Sequence, residues 1–421
     1  MRARGLQHAI AELDLDGLFD HVWLVHPLLG AGAGQPLCGP ARTTPVSSRH
    51  SVIEAPIGRL RALRRLPVAN LLLAQCLLFI RLSWLLRRRR VSAVAVADPF
   101  YLGLWGLALV AVHRIPLVVK ANSNYDTAYE SVGSVAYPRL IRWRWLEVLI
   151  ARCVLSRANL VTVGSDDNLR YVTRHGAPRD RVAVVPTGDM IASDHMQPPG
   201  QRPSVATELD LVDRPFIVFV GRLEPLKDPD AAVLALARLK PALPQTALVV
   251  IGDGSMRAQL ELQCRELGIS EDVRFTGTRD QAWIARTLSS AAVVICPYSG
   301  LALVEAALSA TPVVGYDIEW HAELIESGET GILVPYRDTD ALVRAVEMLL
   351  RDPERGRVMG EAARVRALEE MDRDAAVAIK RSIYSALLAS NDEARRQRTG
   401  RRVPKRARRP LLRFHRGRGS G

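Results

Sequence analysis

The sequence predicts an α/β protein built as two doubly wound parallel-sheet domains, and three observations predict it. Short apolar runs alternate with helical patterns through most of the 421 residues. Those runs are continuous rather than alternating in polarity, which marks strands covered on both faces. The length suits two to three domains at about 150 residues each.

The second half carries the clearer pattern. Strands are expected at Phe216–Val220, Ala247–Ile251, Val273–Thr276, Ala292–Cys296, Pro312–Tyr316 and Ile332–Val334. Helices are expected between them at Asp230–Lys240, Met256–Leu267, Trp283–Ser290 and Ala302–Ser309, with Thr339–Leu350 closing the series. These elements make one domain over residues 213–372. The first half, residues 1–196, shows the alternation less cleanly, with strands at His21–His26, Val91–Val96, Leu117–Lys120, Leu160–Val163 and Val182–Val185. Gln197–Arg202 (Gln-Pro-Pro-Gly-Gln-Arg) opens a linker over 197–212. A final helix, Asp374–Ala389, occupies 373–390. The chain opens on a helical stretch, Leu6–Leu13, whereas a Rossmann-like half normally opens with a strand and a glycine-rich turn. The first domain is therefore read as lacking its opening strand.

Charge is unevenly placed. The formal net charge is +13, yet Ala394–Gly421 holds 12 Arg and Lys with no acid, and Arg59–Arg90 holds nine Arg with no acid. The remainder sums to −8, so the basic balance is not a property of the folded body. Residues 391–421, rich in Arg, Gly and Pro, are expected to be disordered. The tail reads either as a plain solvated segment or, with the second basic stretch, as suited to an anionic membrane surface, where each cation gains about 1 kcal/mol. The tail has one aromatic, Phe414, and so no stacking platform for specific nucleic-acid binding. Between the arginines of the island, Leu66–Leu86 is apolar for about 15 residues before Arg81, short of the ~20 that span a bilayer. A buried helix and a helix lying in the interface are both open readings. The five cysteines are odd in number and widely spaced, without a CxxC pair, so neither a disulfide framework nor a zinc site follows. The polar, acidic start shows no signal peptide, and a cytoplasmic location, peripheral on the inner membrane face, is expected.

Ligands of open α/β sheets bind beyond the carboxyl ends of the strands. The loop after Val220 reads Gly221-Arg222-Leu223-Glu224-Pro225-Leu226-Lys227, two cations five residues apart that can clamp a diphosphate. Only five lysines stand beside 52 arginines, and a retained lysine suggests a need for a compact point charge. An ordinary charged surface loop is the alternative. Ser299-Gly300-Leu301 opens a helix whose free N–H groups can cradle phosphate, with Glu305 about one turn inside. There a carboxylate can take ribose hydroxyls or simply favour the helix dipole. Gly252-Asp253-Gly254 is a strand-to-helix turn or a ligand loop. The acids and aromatics of Asp317–Glu323 fit an exposed helix start or a sugar contact. No HExxH, GxSxG or P-loop occurs.

Five runs in order, VGRLEPLKDPD, LVVIGDGSMRAQLE, VRFTGTR, ICPYSGLALVEAALSATPVVGYD and ELIESGETGILVP, resemble the retaining glycosyltransferases of family 4, the "group 1" class with the GT-B fold. The upstream VTVGSDDNLRYVTRHGAPRDRVAVVPTG resembles the end of that family's first domain. The resemblance implies two Rossmann-like domains facing a cleft. It also implies transfer of a sugar from a UDP- or GDP-linked donor to a glycan, lipid-linked or small-molecule acceptor, with no metal or cofactor. Arg222 and Lys227 match the diphosphate-contacting, catalytic pair. Gly221, Gly252, Ser299, Gly300 and Leu301 fall with them on the donor side, and Glu305 matches the ribose-binding second glutamate of E-x7-E. Thr278 and Arg279 fall where the base is met, and the last helix matches the one that crosses back to the first domain. Position 297, where the first motif glutamate is expected, holds Pro297. The family's first-domain histidine has no equivalent, and Asn122 and Asp126 take the acceptor-side loop, with Glu323 a further sugar-side candidate. A non-catalytic GT-B protein serving as a binding or scaffold partner is the alternative reading.

Overall fold

The computed structural model describes residues 14–29, 38–298, 300–399 and 411–414. The helix expected over Leu6–Leu13 lies outside them. The chain divides into two units, one formed by Pro186–Asp374 and the other by His8–Val185 with Ala375–Gly421.

The second of these is built on β1 (Val22–Leu29), β2 (Arg42–Pro45), β3 (His50–Pro56), β4 (Ala93–Val96), β5 (Leu117–Ala121), β6 (Leu160–Val163) and β7 (Val182–Val184). The other unit carries β8 (Phe216–Val220), β9 (Ala247–Ile251), β10 (Val273–Gly277), β11 (Val293–Cys296), β12 (Val313–Tyr316) and β13 (Ile332–Val334). One more strand, β14 (Leu411–Phe414), returns to the first sheet. Its order is β2-β3-β1-β14-β4-β5-β6-β7, parallel throughout except for β2. The six-stranded sheet runs β10-β9-β8-β11-β12-β13, entirely parallel.

Both sheets are covered on two faces, which is why their strands read as unbroken apolar runs. In β4, Val94 and Val96 pack with helices Pro67–Arg89, Tyr101–His113 and Arg144–Arg157, while Ala93 and Ala95 pack with Phe19, Tyr384 and Leu388. Tyr384 and Leu388 belong to helix Arg373–Thr399, so the last helix covers the first sheet. In β8, Ile217 and Phe219 face one core and Phe216 and Val218 the other.

Three expectations are corrected. The linker expected over 197–212 is part of the fold of Pro186–Asp374. There Arg202 is buried and donates to the carbonyls of His195, Gln197 and Ala285 and to Ser309 Oγ, while Val205 and Leu211 lie in the core. A guanidinium with that many acceptors can be buried, although its segment reads as polar and Pro-rich. The tail expected to be disordered over 391–421 is ordered in part: the helix continues to Thr399, and 411–414 form a strand. Leu-Leu-Arg-Phe gains ladder partners on both sides, which its arginine-rich surroundings conceal. Strands β2 and β3 were not expected either, because Glu54 interrupts a short apolar run in β3 and β2 is exposed along its length.

Helix Pro67–Arg89 settles the apolar stretch between arginines. Ala74, Leu78, Leu82 and Leu86, spaced by four residues, are buried, whereas Val68, Leu72, Ile80 and Trp84 are exposed. It is half core helix and half open apolar face, and it is the one helix among the described residues long and apolar enough to cross a membrane.

Candidate active site

Within the Pro186–Asp374 unit, β8 is the first strand. The chain winds from it to β9 and β10 on one side, then returns to β11, β12 and β13 on the other. The winding reverses between β8 and β11, and such a switch point is where a doubly wound sheet opens a crevice at its carboxyl edge. The loop leaving β8 carries Gly221–Lys227, and the loop leaving β11 leads to Gly300 and Leu301, so two of the four segments singled out from sequence lie here.

The β8 loop is held from below by the turn after β9. Gly252 has φ +136°, and a Cβ there would lie 1.8 Å from the Gly221 carbonyl oxygen. Leu223 N donates to Asp253 O at 3.1 Å and Met256 N to Leu223 O at 2.9 Å, fastening the two loops together. Gly252 thus acts by close backbone approach, the strand-to-helix reading of its motif.

Arg222 is exposed and Lys227 half-buried in the short turn Pro225–Lys227. Lys227 Nζ sits 5.1 Å from the centroid of the Tyr298 ring, and the Tyr298 hydroxyl donates to Glu319. Burial pushes the Lys227 ammonium down to about 8; Glu319 opposes that shift and Arg222 adds to it. A lysine kept near its titration range beside an exposed arginine is a site poised to gain from an incoming anion.

The second wall is helix Leu301–Leu308. Gly300 precedes it without any side-chain cap, and a Cβ on Gly300 would meet nothing within 4 Å. The space beside Gly300 at the amino end of the helix is therefore open. Its carboxyl end is closed by cations: Arg364 donates to Leu308 O, and Arg202 reaches Ser309. That arrangement leaves the positive end of the dipole directed at the crevice. Ser299 lies outside the described residues.

Glu305 is buried in this helix, with Oε1 3.9 Å from His195 Nε2. His195 is fully buried and its Nε2 lies 2.7 Å from Gln281 Oε1. Burial drives its pKa down to about 4, against the opposing hydrogen bond from Gln281, so the imidazole is neutral at pH 7. Its Nε2–H then donates to Gln281, and the 3.9 Å approach is no ion pair at neutral pH.

Thr278 and Arg279 follow β10, two strands away from β8, or roughly 10 Å at about 4.8 Å per strand. Arg279 lies over the Trp283 ring at 4.8 Å, and Trp283 Nε1 donates to Glu208 at 3.0 Å. Both residues are exposed. The unit thus brings Gly221, Arg222, Lys227, Gly252, Gly300, Leu301 and Glu305 to one edge, with Thr278 and Arg279 at its flank.

Tyr298 and Glu319 were missed as site residues. Glu323, the acid chosen from Asp317–Glu323, lies in the short helix His321–Leu324, and its carbonyl accepts from Arg366 at 2.8 Å. The acid whose charge acts on Lys227 is Glu319, two residues after Asp317 and left-handed at φ +49°. The signal was a glutamate in a strand-end loop; which acid of three it would be depends on that backbone turn. Pro297 ends β11 as a buried turn residue, so no carboxylate projects from the first motif position.

In the other unit, Asn122 is exposed after β5, while Asp126 is committed to structure. Its carboxylate pairs with Arg144, lies 2.9 Å from His175 Nε2 and 3.7 Å from Arg174. Burial alone would raise its pKa, but His175 and the two arginines outweigh it and hold the carboxyl below its usual range. The carboxyl edge of this sheet also holds Asp98, buried after β4, which accepts from Phe100 N at 2.9 Å and from the Tyr137 hydroxyl at 2.6 Å. Among the described residues no group of three or more His, Cys, Asp or Glu is placed to hold a metal.

Two family profiles match. Residues 206–366 match "Glycosyl transferases group 1" and residues 17–188 match "Glycosyltransferase Family 4", so the two together take in most of the chain. The chain is 33% identical over 260 residues to a D-inositol 3-phosphate glycosyltransferase of Nocardia farcinica, covering 59% of this chain and 56% of that one. It is 30% identical over 244 residues to a GDP-mannose-dependent alpha-(1-6)-phosphatidylinositol monomannoside mannosyltransferase of Mycolicibacterium smegmatis, covering 53% and 63%. It thus spans little more than half the length of these curated relatives. Among solved structures, a sucrose-phosphate synthase of Thermosynechococcus elongatus superposes with a TM-score of 0.72 at 19% identity, over 92% of this chain and 93% of that one. Anabaena HepE in complex with UDP and glucose superposes at 0.62 and 18% identity, over 80% and 86%. These likenesses show the fold, two Rossmann-like α/β domains of the GT-B class.

Proposed function

We propose, on the premise that the chain belongs to the family 4 (group 1) glycosyltransferases, that it moves a sugar from a nucleotide-sugar donor to a hydroxyl acceptor with retention and without a metal. The observation that carries this reading is the pairing, at one switch point, of Arg222 and Lys227 with the uncapped amino end of helix Leu301–Leu308. A departing diphosphate needs fixed positive charge in a partly dry site, and these groups supply it. The acceptor hydroxyl attacks C1 on the face that the diphosphate leaves. The C1–O(diphosphate) bond breaks, the C1–O(acceptor) bond forms, and the hydroxyl proton passes to a diphosphate oxygen. No protein nucleophile is required, so the chain's task is positioning and charge stabilisation. The UDP and GDP-mannose named for relatives support a UDP- or GDP-linked donor, and the lipid-linked acceptor of one relative supports an acceptor of that kind.

Glu305 takes the ribose hydroxyls in this reading, because it is a buried carboxylate one turn inside the phosphate-facing helix. Glu305→Gln is expected to raise the donor KM about 10- to 100-fold, by the roughly 1.5–3 kcal/mol of a charged hydrogen bond, with little change in kcat. Steady-state kinetics with varied donor checks this; an unchanged KM would remove Glu305 from the site. Pro297 favours a second reading, a GT-B protein that binds without turnover. Saturable nucleoside-diphosphate binding with no transfer to any acceptor would select it, and measured donor-sugar turnover would eliminate it.

The exposed side of helix Pro67–Arg89 supports action at an anionic membrane surface. Val68, Leu72, Ile80 and Trp84 are open to solvent, with arginines at both helix ends and Arg88 over the Trp84 ring at 4.8 Å. Ile80→Glu with Trp84→Glu is expected to reduce co-flotation with vesicles of phosphatidylglycerol and phosphatidylcholine at least tenfold, at unchanged Tm. Flotation equal to wild type would place membrane contact elsewhere.

A further inference from the structure

The strand at the switch point of the first sheet is the last one among the described residues. Reading outward from β14, β1, β3 and β2 lie on one side and β4, β5, β6 and β7 on the other. That is the place β8 holds in the second sheet, where the strand is the first of its unit. Val22 to Val25 pair with Leu411 to Phe414, which in turn pair with Ala93 to Val96, parallel on both sides. Without β14, β1 and β4 would stand two strand spacings apart, about 9.6 Å, too far to bond to each other. Their facing N–H and C=O groups lie among residues that are almost wholly buried, Val22 and Val25 on one side and Ala93 to Val96 on the other. Unpaired backbone groups in such a place are strongly unfavourable.

The side chains at the carboxyl edge bridge the same gap. Gln75 Nε2 donates to Pro27 O, in β1, at 3.0 Å, and Gln75 Oε1 accepts from the Tyr101 hydroxyl at 2.8 Å. Tyr101 lies 5.7 Å from the Tyr137 ring, whose hydroxyl reaches Asp98 after β4. This network runs from β1 to the loop after β4, across the gap that β14 fills.

We propose that the space between β1 and β4 is a strand-binding slot, that residues 411–414 are its ligand held within the same chain, and that filling it sets the loop at the carboxyl end of β4. The slot accepts four residues of extended backbone, parallel to both neighbours, by main-chain ladder bonds. This stands apart from the glycosyl-transfer reading, since it concerns sheet completion and not donor chemistry.

Hydrogen–deuterium exchange of the full chain tests it directly. Amides of 411–414 are expected to exchange at least 100-fold slower than in a free peptide of residues 407–418, alongside slow exchange in 22–25 and 93–96. In the full chain carrying Leu412→Pro, which a central strand cannot accommodate, exchange in 22–25 and 93–96 should quicken at least tenfold while β8 to β13 keep their wild-type rates. Adding the 407–418 peptide should restore protection saturably. Free-peptide rates at 411–414 in the wild type would overturn the proposal, and this measurement stands even if the variant does not fold. Unchanged exchange at 22–25 and 93–96 in Leu412→Pro, or no restoration by the peptide, would overturn it equally.

Discussion

Lys227→Met is expected to make the protein more stable and nearly inactive. The lowered pKa says that the folded chain holds this ammonium at a cost. The fall from 10.5 to about 8, at a buried ammonium, corresponds to roughly 2–3 kcal/mol. The folded-state pKa lies below the unfolded one, so this cost is full below pH 8, shrinks between pH 8 and 10.5, and vanishes above. The stability gain of the variant should follow the same course, as denaturant unfolding at pH 7 and pH 10 would show. Turnover should fall on the order of 100- to 1,000-fold, the worth of one fixed charge aimed at a leaving group. In the wild type, kcat/KM for donor should decline above about pH 8 as Lys227 loses its proton, and Lys227→Arg should remove that limb. Near-normal transfer by Lys227→Met, or a pH limb that survives Lys227→Arg, would take Lys227 out of the mechanism.

Gly252→Ala is expected to be the most damaging single methyl group in this unit. Its Cβ would fall 1.8 Å from the Gly221 carbonyl oxygen, at a φ of +136° that side chains rarely adopt. Backbone cannot yield there without displacing the loop that carries Arg222. A loss of about 3 kcal/mol or more is expected, together with a large fall in donor affinity. Gly300→Ala is the contrasting case. Nothing stands within 4 Å of its added methyl, so Tm should hold while nucleoside-diphosphate affinity drops, because the methyl enters the space a ligand would use. Thermal shift with and without UDP or GDP separates the two, and a Gly252→Ala protein with wild-type Tm would refute the close-approach argument.

Much of the Pro186–Asp374 unit was legible because its signals are local. Phe216–Val220 is a continuous apolar run, Gly252 and Gly254 mark a turn, and Arg222 and Lys227 stand five residues apart on one loop. Each can be read within a dozen residues. The surroundings of Lys227 and Glu305 were less legible. Tyr298 reaches Lys227 across 71 positions and His195 approaches Glu305 across 110, and neither neighbour carries a pattern in its own segment. Arg202 shows the same difficulty. A Pro-rich stretch with an arginine reads as a linker, and only acceptors contributed by residues 195, 197, 285 and 309 make it a buried brace.

The sequence by itself determined the α/β class, the succession of strands and helices in the second domain, and the cation-bearing loop that a ligand would meet. It also determined that the basic charge is concentrated in two stretches, Arg59–Arg90 and Ala394–Gly421. Only the tertiary structure decided that a four-residue piece of one of those stretches is the middle strand of the first sheet. Hydrophobic periodicity reports which faces of a segment are buried, and it is a short-range quantity. Strand pairing between residues 22–25, 93–96 and 411–414 is set by which ladder groups remain unpaired after the rest has folded, and no window of sequence contains that information.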